Sequence, residues 1–169
     1  MACLLAAGCG GGSGRGTPAK SIAQRVCGGA QAAAAGQLGH PVSARIVDRD
    51  PADLECVLTG RRLRVRIVSQ ASAQAYTEFD TTTAHQEQVY GPGVHEPGQI
   101  PRAIPVPGAV AAVWIRAQRE IVATDAEPTR AGAYVTVTVT GRSSQEHKAL
   151  ALAEAVARAT FAAHPDAAT

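Results

Sequence analysis

The stretch Leu54-Glu55-Cys56-Val57-Leu58-Thr59-Gly60-Arg61-Arg62-Leu63-Arg64-Val65-Arg66-Ile67-Val68 decides the fold. Two β-forming runs, residues 54–59 and 62–68, flank Gly60-Arg61, which has the composition of a hairpin turn. In the second run Leu63, Val65 and Ile67 alternate with Arg62, Arg64 and Arg66. Successive side chains of a strand point to opposite faces, so one face is apolar and the other carries arginine. Strands of this kind belong to an antiparallel sheet with one covered face and one face in water.

The same period returns later. In residues 133–140, Val135, Val137 and Val139 point inward while Tyr134, Thr136, Thr138 and Thr140 point outward. Residues 112–116 and 120–124 read as a second hairpin, and residues 42–47 as a short strand. Helical spacing appears three times. Residues 19–38 place Ile22, Val26, Ala30, Ala33 and Ala34 on one face, with Thr17-Pro18 as the start signal and Gly39 and Pro41 as the stop. Residues 71–89 form a weaker helix with Ala75, Phe79, Thr82 and Gln86 on one side; its Thr81-Thr82-Thr83 run lowers helix propensity. The last helix is the strongest. Ser143 and Glu146 fit a capping box, and Ala149, Leu152, Ala153, Val156, Thr160 and Phe161 form its buried stripe. The order of elements predicts an α+β fold: an antiparallel sheet of five to six strands with three helices packed mainly on one face.

The chain has 169 residues, and the part beyond residue 20 is long enough for one domain with a real core. Its formal charge is only +2, too small to point to nucleic acid as a partner. Residues 10–18 have the glycine-rich composition of a flexible tether. The division expected is a truncated signal segment at 1–8, a tether at 9–18, one α+β domain at 19–164 and a disordered tail at 165–169.

The chain opens Met1-Ala2-Cys3-Leu4-Leu5-Ala6-Ala7-Gly8-Cys9 and continues Gly10-Gly11-Gly12-Ser13-Gly14. The apolar run is far too short to span a membrane, which takes about 20 residues. An apolar run ending in small residues before a cysteine resembles the lipobox of secreted bacterial lipoproteins, with Ala6 where that motif favours leucine and Leu5 one place early. The resemblance implies cleavage before Cys9, a lipid on Cys9 and a place on the extracytoplasmic face of the cell membrane. With Cys3 in the signal and Cys9 lipidated, Cys27 and Cys56 remain. In an oxidising compartment two such cysteines pair, here tying the first helix to the first hairpin strand. Neither lies in a C-x-x-C motif or at ligand spacing from a histidine, which argues against a metal site.

The wider pattern is similar to a family of actinobacterial cysteine-paired lipoproteins of unknown function. The residues that carry the likeness are Cys9, Cys27, Cys56, the hairpin, Val106-Pro107-Gly108-Ala109-Val110-Ala111-Ala112 and the alanine-rich final helix. Val57 stands where an aromatic is often found. The likeness implies an address and a fold and carries no activity.

The histidines His40, His85, His95, His147 and His164 make no i, i+4 pair and no H-E-x-x-H. No serine sits in G-x-S-x-G. Asp48, Asp50 and Asp53 surround Pro51 as turn residues and lack the glycine and distal glutamate of a calcium loop. No catalytic residue, metal or cofactor is assigned. Two features are candidates for binding. Arg61, Arg62, Arg64 and Arg66 would meet an anionic surface, such as lipid headgroups or wall polymer. The proline- and glycine-rich segment 90–108, with Tyr90, His95 and Glu96, is long enough to be a ligand loop. The function expected is a membrane-anchored extracytoplasmic lipoprotein serving as a non-enzymatic binding or accessory module of the envelope. The alternatives are a hydrolase or metal-dependent enzyme using His85, His95 and Glu96, and a structural partner of another envelope protein.

Overall fold

The computed structural model describes residues 20–50, 52–90, 101–141 and 146–164, with backbone alone for 86–90. The elements in chain order are α1 (Ile22–Leu38), β1 (Ser43–Asp50), β2 (Asp53–Thr59), β3 (Leu63–Ser72), α2 (Ala75–Tyr90), β4 (Arg102–Ala103), β5 (Ala111–Ile115), β6 (Glu120–Thr124), β7 (Gly132–Gly141) and α3 (Glu146–Ala163). The strands form one sheet in the order β1-β2-β3-β7-β6-β5-β4. Every neighbouring pair is antiparallel. The fold is α+β, as the alternation in β3 and β7 requires.

The last strand in sequence lies near the middle of the sheet. β7 pairs with β3 from Leu63↔Gly141 to Ser72↔Gly132, which sets Val65 against Val139 and Ile67 against Val137 on the same face. α1 and α3 lie side by side on that face. They bury Val26, Ala30 and Ala34 from α1 together with Leu152, Val156 and Phe161 from α3 against the valines and leucines of β2, β3 and β7. Small residues let the two helices approach closely: a Cβ on Gly29 would stand 3.5 Å from the Ala159 carbonyl oxygen.

α2 lies on the opposite face. Its Phe79 packs on Ile115 and Val122, with Val113 and Tyr134 alongside. The cause is written in β5 and β6. These strands are apolar on both sides, Ala111-Ala112-Val113-Trp114-Ile115 and Ile121-Val122-Ala123, so each of their faces needs a cover. On that face β2 and β3 carry mainly polar side chains, with Val57 and Val68 set among them, and need less cover. The sheet is therefore covered twice at its β5–β6 edge and once at its β1–β3 edge.

Four expectations change in detail. Among the described residues the strands number seven, because the two-residue β4 pairs Arg102 with Trp114 and Ala103 with Val113 at the end of the proline-rich segment. A pair that short leaves no period in the sequence. α1 is capped by Ser21, whose Oγ accepts from the Gln24 amide at 3.2 Å while Gln24 Oε1 accepts from the Ser21 amide at 2.9 Å. This capping box stands where the helix starts; Thr17 and Pro18 lie outside the described residues, as do Ser143 and the 165–169 tail. At the other end Gly39, at φ 68°, takes the left-handed conformation that closes the helix. α2 starts four residues later than its periodicity indicated, because β3 stays paired with β7 as far as Ser72. Finally, the Gly60 amide donates to the Leu63 carbonyl at 2.8 Å, so Arg61 and Arg62 are both turn residues and the strand begins at Leu63.

Cys27 and Cys56 form a disulfide with their Cα atoms 5.8 Å apart. Both are buried, at 3% and 0% exposure, so the bond joins α1 to β2 inside the main core.

Candidate functional site

The second face of the sheet is where the arginines stand, and the register orders them into rows across the strands. The row nearest the Gly60 turn holds Ser43, Thr59, Arg64 and Thr140. The next holds Arg45, Val57, Arg66, Thr138 and Glu120. A third holds Asp48, Glu55, Val68, Thr136 and Val122. The fourth holds Asp50, Asp53, Gln70 and Tyr134. Charge thus passes from arginine to carboxylate along the strands, over about 20 Å at 3.3 Å per residue.

Within this gradient Arg66 is engaged. Its Nε and Nη2 donate to the two carboxylate oxygens of Glu55 at 2.9 and 3.0 Å. That hydrogen bonding, more than the charge alone, holds the Glu55 carboxyl below its ordinary range and raises Arg66. Across the sheet Glu120 is largely buried. Burial pushes its carboxyl above the ordinary range, against a hydrogen bond donated by Thr138 Oγ1 at 2.7 Å and the opposing charge of Arg66. Burial under α2 also raises the Tyr134 hydroxyl, which lies 3.2 Å from Thr82 Oγ1.

Arg45, Arg61, Arg62 and Arg64 are exposed and make no ion pair among the described residues. Arg119 joins them from the β5–β6 turn. Its Nη1 donates to the Gly141 carbonyl at 3.2 Å, and Gly141 is the register partner of Leu63. The β2–β3 turn, the β5–β6 turn and the end of β7 therefore make one arginine-rich end of the molecule.

The opposite end holds a cleft of about 520 Å3 whose lining includes Ser72, Gly108, Asp125, Glu127, Arg130 and His164. Asp125 Oδ1 accepts from the Ala133 amide at 2.6 Å. Beneath the cleft, Ser69 Oγ and His164 Nε2 are 2.8 Å apart. That distance would suit a nucleophile and its base. Ser69, however, is fully buried on the helix-covered face at 0% exposure and does not line the cleft. Its hydroxyl fixes the imidazole at the end of α3 and presents no oxygen to a substrate.

The candidates read from sequence fall as follows. Cys27 and Cys56 are bonded to each other. Arg64 and Arg66 stand on β3, while Arg61 and Arg62 stand in the turn before it. His85 is exposed on α2, and Tyr90 is the last residue of that helix. Cys9, His95 and Glu96 lie outside the described residues. No group of three metal-ligating side chains occurs among the described residues. Arg45 and Arg119 were not singled out by sequence; Arg45 was legible only through the β1–β2 register, and Arg119 only through the place of β7 beside β3. Ser69 and His164 are 95 residues apart, with no local motif to join them. Compared with known proteins, the chain matches no family model, no curated protein and no solved structure.

Proposed function

We propose that this chain is a lipid-anchored, extracytoplasmic binding or accessory module of the cell envelope, held through Cys9. The observation that carries the reading is the buried Cys27–Cys56 bond between α1 and β2. Disulfides of this kind persist in oxidising compartments and are rare in reducing ones. Leu5-Ala6-Ala7-Gly8-Cys9, followed by a Gly/Ser stretch, supplies the matching address. A lipid on Cys9 would place the domain at the outer membrane–water boundary, and a second chain on that residue would be needed for stable anchoring. The arginine-rich end gives such a module a surface for an anionic partner in the envelope.

The test is fractionation of cells expressing the full gene as wild type and as Cys9→Ala. The wild type belongs in the membrane fraction and the variant in the soluble one. Equal membrane association of the two would contradict the reading.

A further inference from the structure

β1 is the outermost strand on its side of the sheet, and its far edge has no neighbour among the described residues. The edge is long: Ser43–Asp50 is eight residues, and no proline interrupts it. All of them are exposed except Ile46, which is half-buried. Val47, at 46% exposure, is one of two large apolar side chains exposed among the described residues. The register with β2 shows how it comes to be there. Ile46 is opposite Cys56 and Asp48 is opposite Glu55, so Val47 is the extra residue of a β-bulge. The bulge inverts the alternation of faces. Before it, Ser43 and Arg45 share the second face with Thr59 and Val57, while Ala44 and Ile46 share the helix-covered face with Leu58 and Cys56. After it, Asp48 and Asp50 stand on the second face and Arg49 on the helix-covered one, opposite the buried Leu54. The face pattern of β1 is therefore symmetric about the midpoint between Ile46 and Val47.

We infer that β1 is a self-association edge: two copies of this chain pair β1 with β1, antiparallel about a two-fold axis, and their sheets join into one. This goes beyond the module proposed above and rests neither on its anchor nor on its arginine-rich end. Residues opposed in an antiparallel pair share a face, so a regular strand meets its own copy only about an axis centred on a residue. The bulge bars that arrangement in β1. Centred on Ile46 or on Val47, the axis would oppose Ala44 to Asp48 or Arg45 to Arg49, in each case from different faces. The symmetric pattern fits the midpoint instead. There Arg45 meets Asp48 of the second copy, and Asp48 meets the second copy's Arg45, all on the second face. Ala44 meets Arg49 on the helix-covered face, and Ile46 meets the exposed Val47 beside the axis. Charges and bulges on an edge strand ordinarily keep another strand away. Here the charges are their own complement, and opposite charges directly across a strand pair attract. The Asp50 amide is already met by Asp48 Oδ1 at 3.0 Å, so the added ladder runs over residues 44–49. A ladder that short buries less than the roughly 1,200 Å2 of a standard interface, and the dimer is a weak one. The contact is isologous and closes on itself, so assembly stops at two copies.

The experiment is sedimentation equilibrium of the full, unlipidated chain carrying Cys3→Ser and Cys9→Ser, which excludes cross-linking through those thiols, at up to about 1 mM protein. The weight-average mass should climb with concentration from one chain toward two. Arg45→Asp alone sets carboxylate against carboxylate at both contacts, and Asp48→Arg alone sets guanidinium against guanidinium. Each should weaken association by about tenfold or more. An equal mixture of the two variants restores opposite charge at both contacts and should associate as the parent chain does. Val110→Asp, at the other exposed apolar side chain, should leave association unchanged. In the parent chain the amides of residues 44–49 should exchange more slowly as concentration rises, a measurement that needs no variant at the edge to fold. The proposal fails if the parent chain stays monomeric throughout, if either charge variant associates as the parent does, or if the mixture of the two folded variants stays monomeric. It fails equally if Val110→Asp abolishes association, or if exchange at 44–49 does not change with concentration.

Discussion

Arg66 on β3 grips Glu55 on β2 through the Nε and Nη2 edge of its guanidinium, at 2.9 and 3.0 Å, on a diagonal of the open sheet face. Their register partners are offset, Glu55 facing Val68 and Arg66 facing Val57, so the long arginine side chain reaches across the strand gap to make the pair. The bidentate contact engages Arg66 and leaves Arg45, Arg64 and the turn arginines beside it without an ion pair among the described residues. Arg66 is exposed and Glu55 half-buried at the surface, and a surface pair of that kind contributes at most about 1 kcal/mol.

Glu55→Gln should therefore change stability little, by less than about 1 kcal/mol, while releasing Arg66 toward an anionic ligand. Affinity for polyphosphate, a probe of the anionic partner proposed above, should rise at low salt relative to wild type. A fall would mean that Arg66 and its neighbours do not act on the same ligand.

Glu120 gives a pH prediction of definite sign. Burial raises its folded-state pKa above the unfolded value. Between those two values the folded chain holds more protons than the unfolded chain, so this residue makes stability fall as pH rises through the window. Glu120→Gln keeps an acceptor for Thr138 and removes the charge. It should raise the denaturation midpoint at neutral pH, and the gain should vanish in acid, below the unfolded value of a glutamate. Urea melts at neutral and acid pH check this; a loss of stability at neutral pH would show that Arg66 outweighs burial at this site.

The disulfide closes a loop with a sequence separation of 29. In the chain-entropy account, removing it costs roughly 3–4 kcal/mol. Replacing Cys27 and Cys56 together by Ala should lower the unfolding free energy by about that amount, and reductant should act on the wild type but not on the variant. Peptide mass mapping without reductant should show the two cysteines in one linked species.

Gly141 sits at φ 125°, where an added Cβ would collide with the Arg62 carbonyl oxygen. Gly141→Ala should lose more than 1 kcal/mol through backbone strain, of the order expected for a non-glycine residue in that region. Because Gly141 is the register partner of Leu63 beside the β2–β3 turn, the added methyl should displace that turn and polyphosphate affinity should drop with it. Calorimetry together with the polyphosphate titration reads both effects.

The sequence carried most of this architecture because its strands alternate cleanly. Leu63, Val65 and Ile67 against Arg64 and Arg66, and Val135, Val137 and Val139 against the threonines, assign an inner and an outer face without any long-range information. The placement of α2 was written more faintly. It follows from Val113, Ile115 and Val122 being apolar on the face that β2 and β3 leave polar, a comparison between strands and not a pattern within one. The Arg66–Glu55 pair was within reach once the hairpin turn was placed, since two turn residues fix which side chains are diagonal neighbours. β4 was not, because two residues show no period. The joining of Arg119 to the arginine end depends on β7 pairing with β3, and the meeting of Ser69 with His164 depends on where α3 ends; neither follows from local spacing.

Export and anchoring through Cys9, as proposed above, are tested most directly by the N-terminal peptide of the mature protein. Mass spectrometry of the membrane-extracted protein should find a peptide that begins at Cys9 and carries a lipid on that residue. A peptide that runs through Gly8-Cys9 unbroken, with the thiol unmodified, would contradict the account.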